Sequence, residues 1–132
     1  MMNNQMFELA KKVVNNAYVP YSNFRVAAVL KLKNGEMITG INVENASYGL
    51  SNCAERTALF TAYARGIRKE EIESLLVYTD KDYLISPCGA CRQVISELME
   101  KDSDIIMANH KGDMKTVKNY DLLPLAFSKE DL

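Results

Sequence analysis

The chain opens with apolar residues at Met6, Leu9, Ala10, Val13, Val14 and Ala17, a stripe at helical spacing that Pro20 closes. Val26 to Leu32 is β-rich, and Asn34-Gly35 after it is a strong hairpin signal, with the return strand predicted from Glu36 to about Val43. Residues 45–52 form a polar loop of Asn, Ser and Gly. The pattern turns helical again from Cys53 to Arg65, where Ala54, Ala58, Leu59 and Ala62 fall near one face. Ser51 or Asn52 is placed to cap its start and Gly66 its end. Leu75 to Thr79 reads as a short buried strand. Ser86-Pro87 reads as N-cap and first residue of a helix reaching about Lys101, and Asp104 to Ala108 as another strand. Lys111-Gly112-Asp113 supplies a turn, and the tail ends in the apolar cluster Leu122 to Phe127.

Helix, hairpin, helix, strand, helix, strand is the order of a mixed sheet with helices on its faces. The hairpin is antiparallel, and the two strand–helix–strand units favour parallel pairing. The expected architecture is one three-layer α/β domain over residues 1–132, without repeats or linkers. The 132 residues, 48% of them hydrophobic, suffice for a core without disulfide staples.

Charge and cysteine usage narrow the function. Net charge is −1, and the sixteen Lys and Arg residues are spread along the chain, with no basic stripe of the kind that tracks a phosphate backbone. That argues against a polynucleotide substrate. No signal-peptide layout and no apolar run of membrane-spanning length is present, so a cytoplasmic location without membrane association is expected. In a reducing compartment three cysteines point to metal binding or catalysis rather than disulfides.

All three lie in two short strings, Cys53-Ala54-Glu55-Arg56 and Ser86-Pro87-Cys88-Gly89-Ala90-Cys91-Arg92-Gln93, each opening a predicted helix. A helix N-terminus carries partial positive charge and favours thiolate, the form that binds zinc. Three protein ligands suit a catalytic zinc site, which keeps its fourth position for water, whereas structural sites use four. The single histidine, His110, beside a predicted turn and without a partner at ligand spacing, is expected to face solvent. Glu55 stands two residues beyond a ligand, where a carboxylate can move a proton from activated water to substrate without holding the metal. Alone it would be an ordinary acidic residue in a first helical turn.

Cys53-Ala54-Glu55 followed by Pro87-Cys88-x-x-Cys91 matches the signature of zinc deaminases in its all-cysteine form. With Asn42-Val43-Glu44-Asn45, Pro20-Tyr21-Ser22-Asn23-Phe24 and the Leu122-Leu123-Pro124…Phe127 tail, nearly the whole chain resembles the short-chain, homotetrameric type of cytidine deaminase. The resemblance implies an α/β/α sandwich around a mixed five-stranded sheet, and one Zn2+ per subunit held by Cys53, Cys88 and Cys91. It also implies Glu55 as the proton carrier in hydrolysis of cytidine or deoxycytidine. Arg56 is implied to hydrogen-bond the ligand sulfurs and offset their charge; Arg92 shares that role or is a surface helix arginine. Asn42 and Glu44, alternating with Ile41 and Val43 and so on one face, are implied to meet the ribose 3′-hydroxyl, with an exposed polar edge as the competing explanation. Phe24, a core residue by default, is implied to stack on the pyrimidine, and the Ala54 N–H to meet the base O2. Ala46, Tyr48 and Phe127 resemble residues that reach into a neighbouring subunit's site, which makes the pocket composite and the partner a second copy in a tetramer.

Two other functions compete. A blasticidin-type deaminase shares the cysteine strings, but Asn42-x-Glu44-Asn45 and Arg56 fit cytidine deaminase better. A non-enzymatic zinc-stabilised module requires a fourth ligand and leaves Glu55 idle.

Overall fold

The computed structural model describes residues 2–132. Strands β1 (Val26–Leu32), β2 (Met37–Ile41), β3 (Ile72–Thr79), β4 (Asp104–Asn109) and β5 (Met114–Lys118) form one sheet in the order β2-β1-β3-β4-β5. Helix α1 (Met2–Val13) covers one face, and α2 (Ala54–Ala64) and α3 (Gly89–Leu98) the other. The short α4 (Asn119–Leu122) follows β5.

Every residue of β1 is buried because the strand is central and covered on both sides. Ala27 and Val29 turn to Met6 and Ala10 of α1 and to Val14 just after it, while Ala28 and Leu30 turn to Ala58, Leu59, Cys91 and Ile95 of α2 and α3. Two-faced burial is what removes alternation from a strand's sequence. Only β3 and β4 are direct parallel neighbours; β1 pairs antiparallel with both β2 and β3. The β2–α2–β3 unit does join strands of like direction, but β1 lies between them.

Several element ends differ from expectation. Neither Ser51 nor Asn52 caps α2: Asn52 is held extended by paired backbone bonds with Val43 at 3.0 and 2.9 Å, and Cys53 becomes the N-cap. Likewise Ser86-Pro87 does not open α3. Cys88 is its N-cap, its sulfur accepting from the Cys91 N–H at 3.5 Å, so Pro87 stays in the preceding extended segment. The same helix stops at Leu98, short of Lys101. Buried Asn119 closes it there, its Nδ2 donating to the carbonyls of Ile95, Met99 and Glu100 at 3.0–3.2 Å. Strand β5 was not expected, since Met114-Lys115-Thr116-Val117-Lys118 is an edge strand with polar residues on both faces. Gly66, at φ +88°, ends α2 as its composition suggests.

Helix α2 is seated on the sheet by an absence of side chain. A Cβ on Gly40 would lie 2.5 Å from both the Ala54 oxygen and the Ala58 nitrogen, backbone atoms that have no rotamer to yield. Gly40→Ala therefore pushes the first turn of α2 off β2. The expected loss is about 1–3 kcal/mol, read by denaturant unfolding, together with weaker zinc retention; unchanged stability and metal content would show that the contact is not limiting.

Candidate active site

Two helix N-termini meet on one side of the sheet. Cys53 is the N-cap of α2, Cys88 the N-cap of α3, and Cys91 lies in the first turn of α3. Their Sγ atoms lie within 4.8 Å of one another, with Cys53 and Cys88 3.7 Å apart, and all three are free thiols. Four tetrahedral ligands with zinc–sulfur bonds near 2.3 Å have sulfurs about 3.8 Å apart. The triangle thus has the size and the donor chemistry that zinc requires. Among the described residues no other group of three metal-ligating side chains assembles. His110 is remote from the sulfurs, paired at the surface with Asp82.

Without metal the thiols divide their protons unequally. The Cys53 thiol is pulled down to about 5, first by a hydrogen bond from Cys91 and then, against burial, by Arg56. Cys91 is pushed up because it donates to that thiolate and is buried. Arg56 Nη2 lies 3.5 Å from Cys53 Sγ. Its Nε is buried and unpartnered, a spare donor beside a cluster that would gain negative charge when all three thiols ionise. The donor set and this orphaned N–H both fit a cation held at Cys53, Cys88 and Cys91.

Glu55, only 4% exposed, sits in the first turn of α2 between its two neighbours Ala54 and Arg56. Burial, helped by the Cys53 charge, raises its carboxyl to about 7. A carboxyl that gains and loses a proton near neutrality has the property required of a general acid–base.

The sugar-side candidates are joined to the loop before β1. Asn42 Oδ1 accepts from Val26 N at 3.0 Å and its Nδ2 donates to Phe24 O at 2.8 Å. Glu44 accepts from the N–H groups of Tyr21 and Ser22 at 3.0 and 3.1 Å and from the Ser22 hydroxyl. The Ser22 bond chiefly holds its carboxyl below the ordinary value. Both side chains therefore grip the segment that presents Phe24, and Ser22 is a participant that sequence reasoning missed. Phe24 is half-buried and packs at the edge of the core cluster that includes Cys53. Ala54 opens α2, so its N–H has no intrahelical acceptor.

Arg92 turns away from the sulfurs. Its guanidinium donates at 2.8 Å to Pro87 O, Leu122 O and Ser86 Oγ, stapling the segment before Cys88 to the C-terminal tail. Ala46, Tyr48 and Phe127 lie at the surface rather than in the cluster: Tyr48 is 78% and Phe127 58% exposed. A cleft of about 310 Å³ runs between Tyr63, Arg68, Leu98 and Phe127, away from the cysteines. Sequence alone does not decide whether Asp80 to Tyr83, the loop after β3, shapes the pocket mouth; in the structure Lys81 and Tyr83 both lie against Phe24. The run Asp80-Lys81-Asp82 has the composition of a solvated turn, so no local signal marks it.

Residues 2–108 match the family described as the cytidine and deoxycytidylate deaminase zinc-binding region. A cytidine deaminase of Halalkalibacterium halodurans is 50% identical over 116 residues, spanning 88% of this chain and 86% of the relative. One of Sporosarcina psychrophila is 46% identical over 123 residues, 93% and 89% of the two chains. Among solved structures, cytidine deaminase from Burkholderia pseudomallei superposes with a TM-score of 0.92 at 47% identity, covering 96% of this chain and 100% of that one. Cytidine deaminase from Mycobacterium tuberculosis gives 0.79 at 34% identity, covering 95% and 96%.

The burial of Glu55 has a cost that can be read in the metal-free protein. Because folding raises its carboxyl from 4.5 to about 7, Glu55 favours the fold most below pH 4.5, and that contribution is lost as pH rises through about 7. Cys53 acts in the opposite sense over pH 5 to 9, and comparing two proteins that share it removes its effect. Metal-free Glu55→Gln is thus expected to be the more stable protein above pH 7, by at most about 3 kcal/mol. The difference shrinks as pH falls through 7 and levels off below 4.5. Parallel stability–pH curves for the two proteins would show that Glu55 is not buried as a charge.

Proposed function

The chain belongs to the cytidine and deoxycytidylate deaminase family, and from that membership we infer that it hydrolyses the 4-amino group of cytidine or deoxycytidine. The products are uridine or deoxyuridine and ammonia, and the cofactor is zinc. The observation that carries this is the three-sulfur triangle with a buried, non-ligating carboxyl beside it. A structural zinc module has no use for Glu55, and its fourth ligand is not among the described residues.

Zinc held by Cys53, Cys88 and Cys91 supplies the Lewis acidity that makes water a nucleophile near neutral pH. Glu55 takes the proton that the attacking water loses and gives it to N3 as the C4–O bond forms. It then takes the remaining hydroxyl proton and gives it to N4, so that the C4–N4 bond breaks, ammonia leaves and the C4 carbonyl forms. In the metal-free protein burial already lifts this carboxyl to about 7, which brings acceptance and donation of a proton toward balance near neutral pH. Arg56, beside Cys53, offsets the thiolate charge. The Ala54 N–H faces the base O2, Phe24 stacks on the ring, and Asn42 with Glu44 meets the sugar hydroxyls. The Glu44 carboxylate disfavours a phosphate there, which selects the free nucleoside over nucleotides.

The pocket is completed by further copies of the chain, in a tetramer. Deamination needs a dry, enclosed site, but here Cys88 is exposed and Tyr48 and Phe127 keep most of their surface open to solvent. Tyr48 and Phe127, with Ala46, supply that cover to a neighbour. The whole of 1–132 serves as one catalytic domain. Three thiols that must stay free for metal suit the cytoplasm, and no helix among the described residues is long and apolar enough to cross a membrane.

Zinc-loaded protein mixed with cytidine is expected to change the ultraviolet spectrum of the base with release of one ammonia per base converted. Glu55→Gln keeps its zinc and loses roughly 10²–10⁴-fold in kcat. Near wild-type turnover in a zinc-replete variant would remove Glu55 from the chemistry.

Activity per subunit falls on dilution together with the sedimenting mass, and Phe127→Ala moves both transitions to higher protein concentration. A fully active monomer would refute the shared pocket.

A further inference from the structure

The loop between β3 and α3 carries two side chains onto Phe24. The Tyr83 ring lies 6.4 Å from the Phe24 ring between centroids. The Lys81 ammonium sits 5.7 Å from the same centroid, within the range of a cation–π attraction. Nothing in the loop itself enforces this placement: residues 80–87 have no regular structure, and Asp82 and Tyr83 are exposed. What restrains the loop is the turn between β4 and β5. His110 Nε2 meets Asp82 Oδ1, the His110 N–H reaches Lys81 O at 3.4 Å, and Asn109 Nδ2 donates to Asp82 O at 3.0 Å. Asn109 is 1% exposed and its Oδ1 accepts from the N–H groups of Lys111 and Asp113, both at 3.0 Å, so the turn is itself rigid. Two successive loop residues are thus tied to a fixed point.

We propose that Asp82 and His110 are positioning residues for nucleoside binding: their pairing clamps the β3–α3 loop to the β4–β5 turn and holds Lys81 and Tyr83 as a wall beside Phe24. This rests on the base lying against Phe24, as inferred above. A loop ordered in advance lowers the ordering cost of binding and leaves the reacting atoms untouched. Its loss is therefore felt in KM and not in kcat. The side-chain partner of the imidazole is the Asp82 carboxylate. His110, and to a lesser degree Lys111, hold the Asp82 carboxyl below its usual range, so Asp82 remains the anion of the pair.

The test is steady-state deamination of cytidine by zinc-replete full-length protein, with zinc content and thermal unfolding measured on each variant. Asp82→Asn and His110→Gln are expected to raise KM about two- to fivefold with kcat unchanged, the range of an exposed ion pair. His110→Lys keeps a cation opposite Asp82 and should recover the low KM. Wild-type KM in Asp82→Asn and His110→Gln, a His110→Lys no better than His110→Gln, or a loss confined to kcat would each overturn the proposal. Phe24→Ala separates the two levels of inference. A raised KM in Phe24→Ala beside unaltered clamp variants sinks the clamp alone, whereas an unaltered KM in Phe24→Ala withdraws the base-stacking assignment and the clamp with it.

Discussion

The approach of α2 to β2 at Gly40 is the constraint from which the site follows. Backbone meets backbone there, with Ala54 O and Ala58 N occupying the space of the missing Cβ. That contact fixes the first turn of α2, and the first turn is where Cys53, Ala54, Glu55 and Arg56 reside. The second helix reaches the same spot by a different route. As the crossover between the parallel pair β3 and β4, α3 must pack on the sheet, and its N-terminus must lie beyond the end of β3 where Thr79 leaves the sheet. Cys91 and Ile95 of α3 then share a core cluster with Ala54, Ala58 and Ala62 of α2. Small residues on α2 let the two helices close together, and closeness at their N-termini is what brings three sulfurs within 4.8 Å.

Convergent helix N-termini also make the cluster electrostatically tolerable. Three thiolates and a carboxylate are four negative charges in a small, half-buried volume. Two helix ends and Arg56 are the positive terms set against them. The balance is incomplete without a cation: Cys91 keeps its proton and Glu55 stays largely protonated up to about pH 7. A divalent ion removes that frustration. Glu55 is a second source of strain in the metal-free protein, a carboxyl held where burial disfavours its charge.

How much of this could be read in the sequence depended on range. Cysteine spacing, the Asn34-Gly35 turn and the Gly66 stop are local, and each lies where the pattern puts it. The cap errors have one cause: Ser51, Asn52 and Ser86 are good N-cap residues by type, but Asn45, Val43 and Arg92 respectively engage them outside the helix starts, and the cysteines take the position. Edge strand β5 escaped because only its pairing with β4 defines it. Arg92 beside Cys91 suggested a partner for sulfur, whereas the fold offers it the carbonyls of Pro87 and Leu122. The Asp82–His110 pair spans 28 residues between two turns of ordinary composition, with nothing in either to announce the other.

Asn42 and Glu44 show why substrate recognition is hardest to separate from architecture. An amide offers two N–H groups and two lone pairs. Asn42 already commits one N–H to Phe24 O and one lone pair to Val26 N. The Glu44 carboxylate accepts three bonds from Tyr21 and Ser22, leaving about one further lone-pair direction. Any hydroxyl these side chains meet must use what is left over, in directions set by the loop they hold. The same two residues that would read the sugar thus set the path of the segment carrying Phe24, the proposed surface for the base. Replacing either one alters the platform and the reader at once. A loss of binding in such a variant therefore does not by itself identify a sugar contact. The discriminating quantity is the ratio between substrates that keep and lack the hydroxyl, because a displaced Phe24 weakens both alike while a lost hydrogen bond weakens only one.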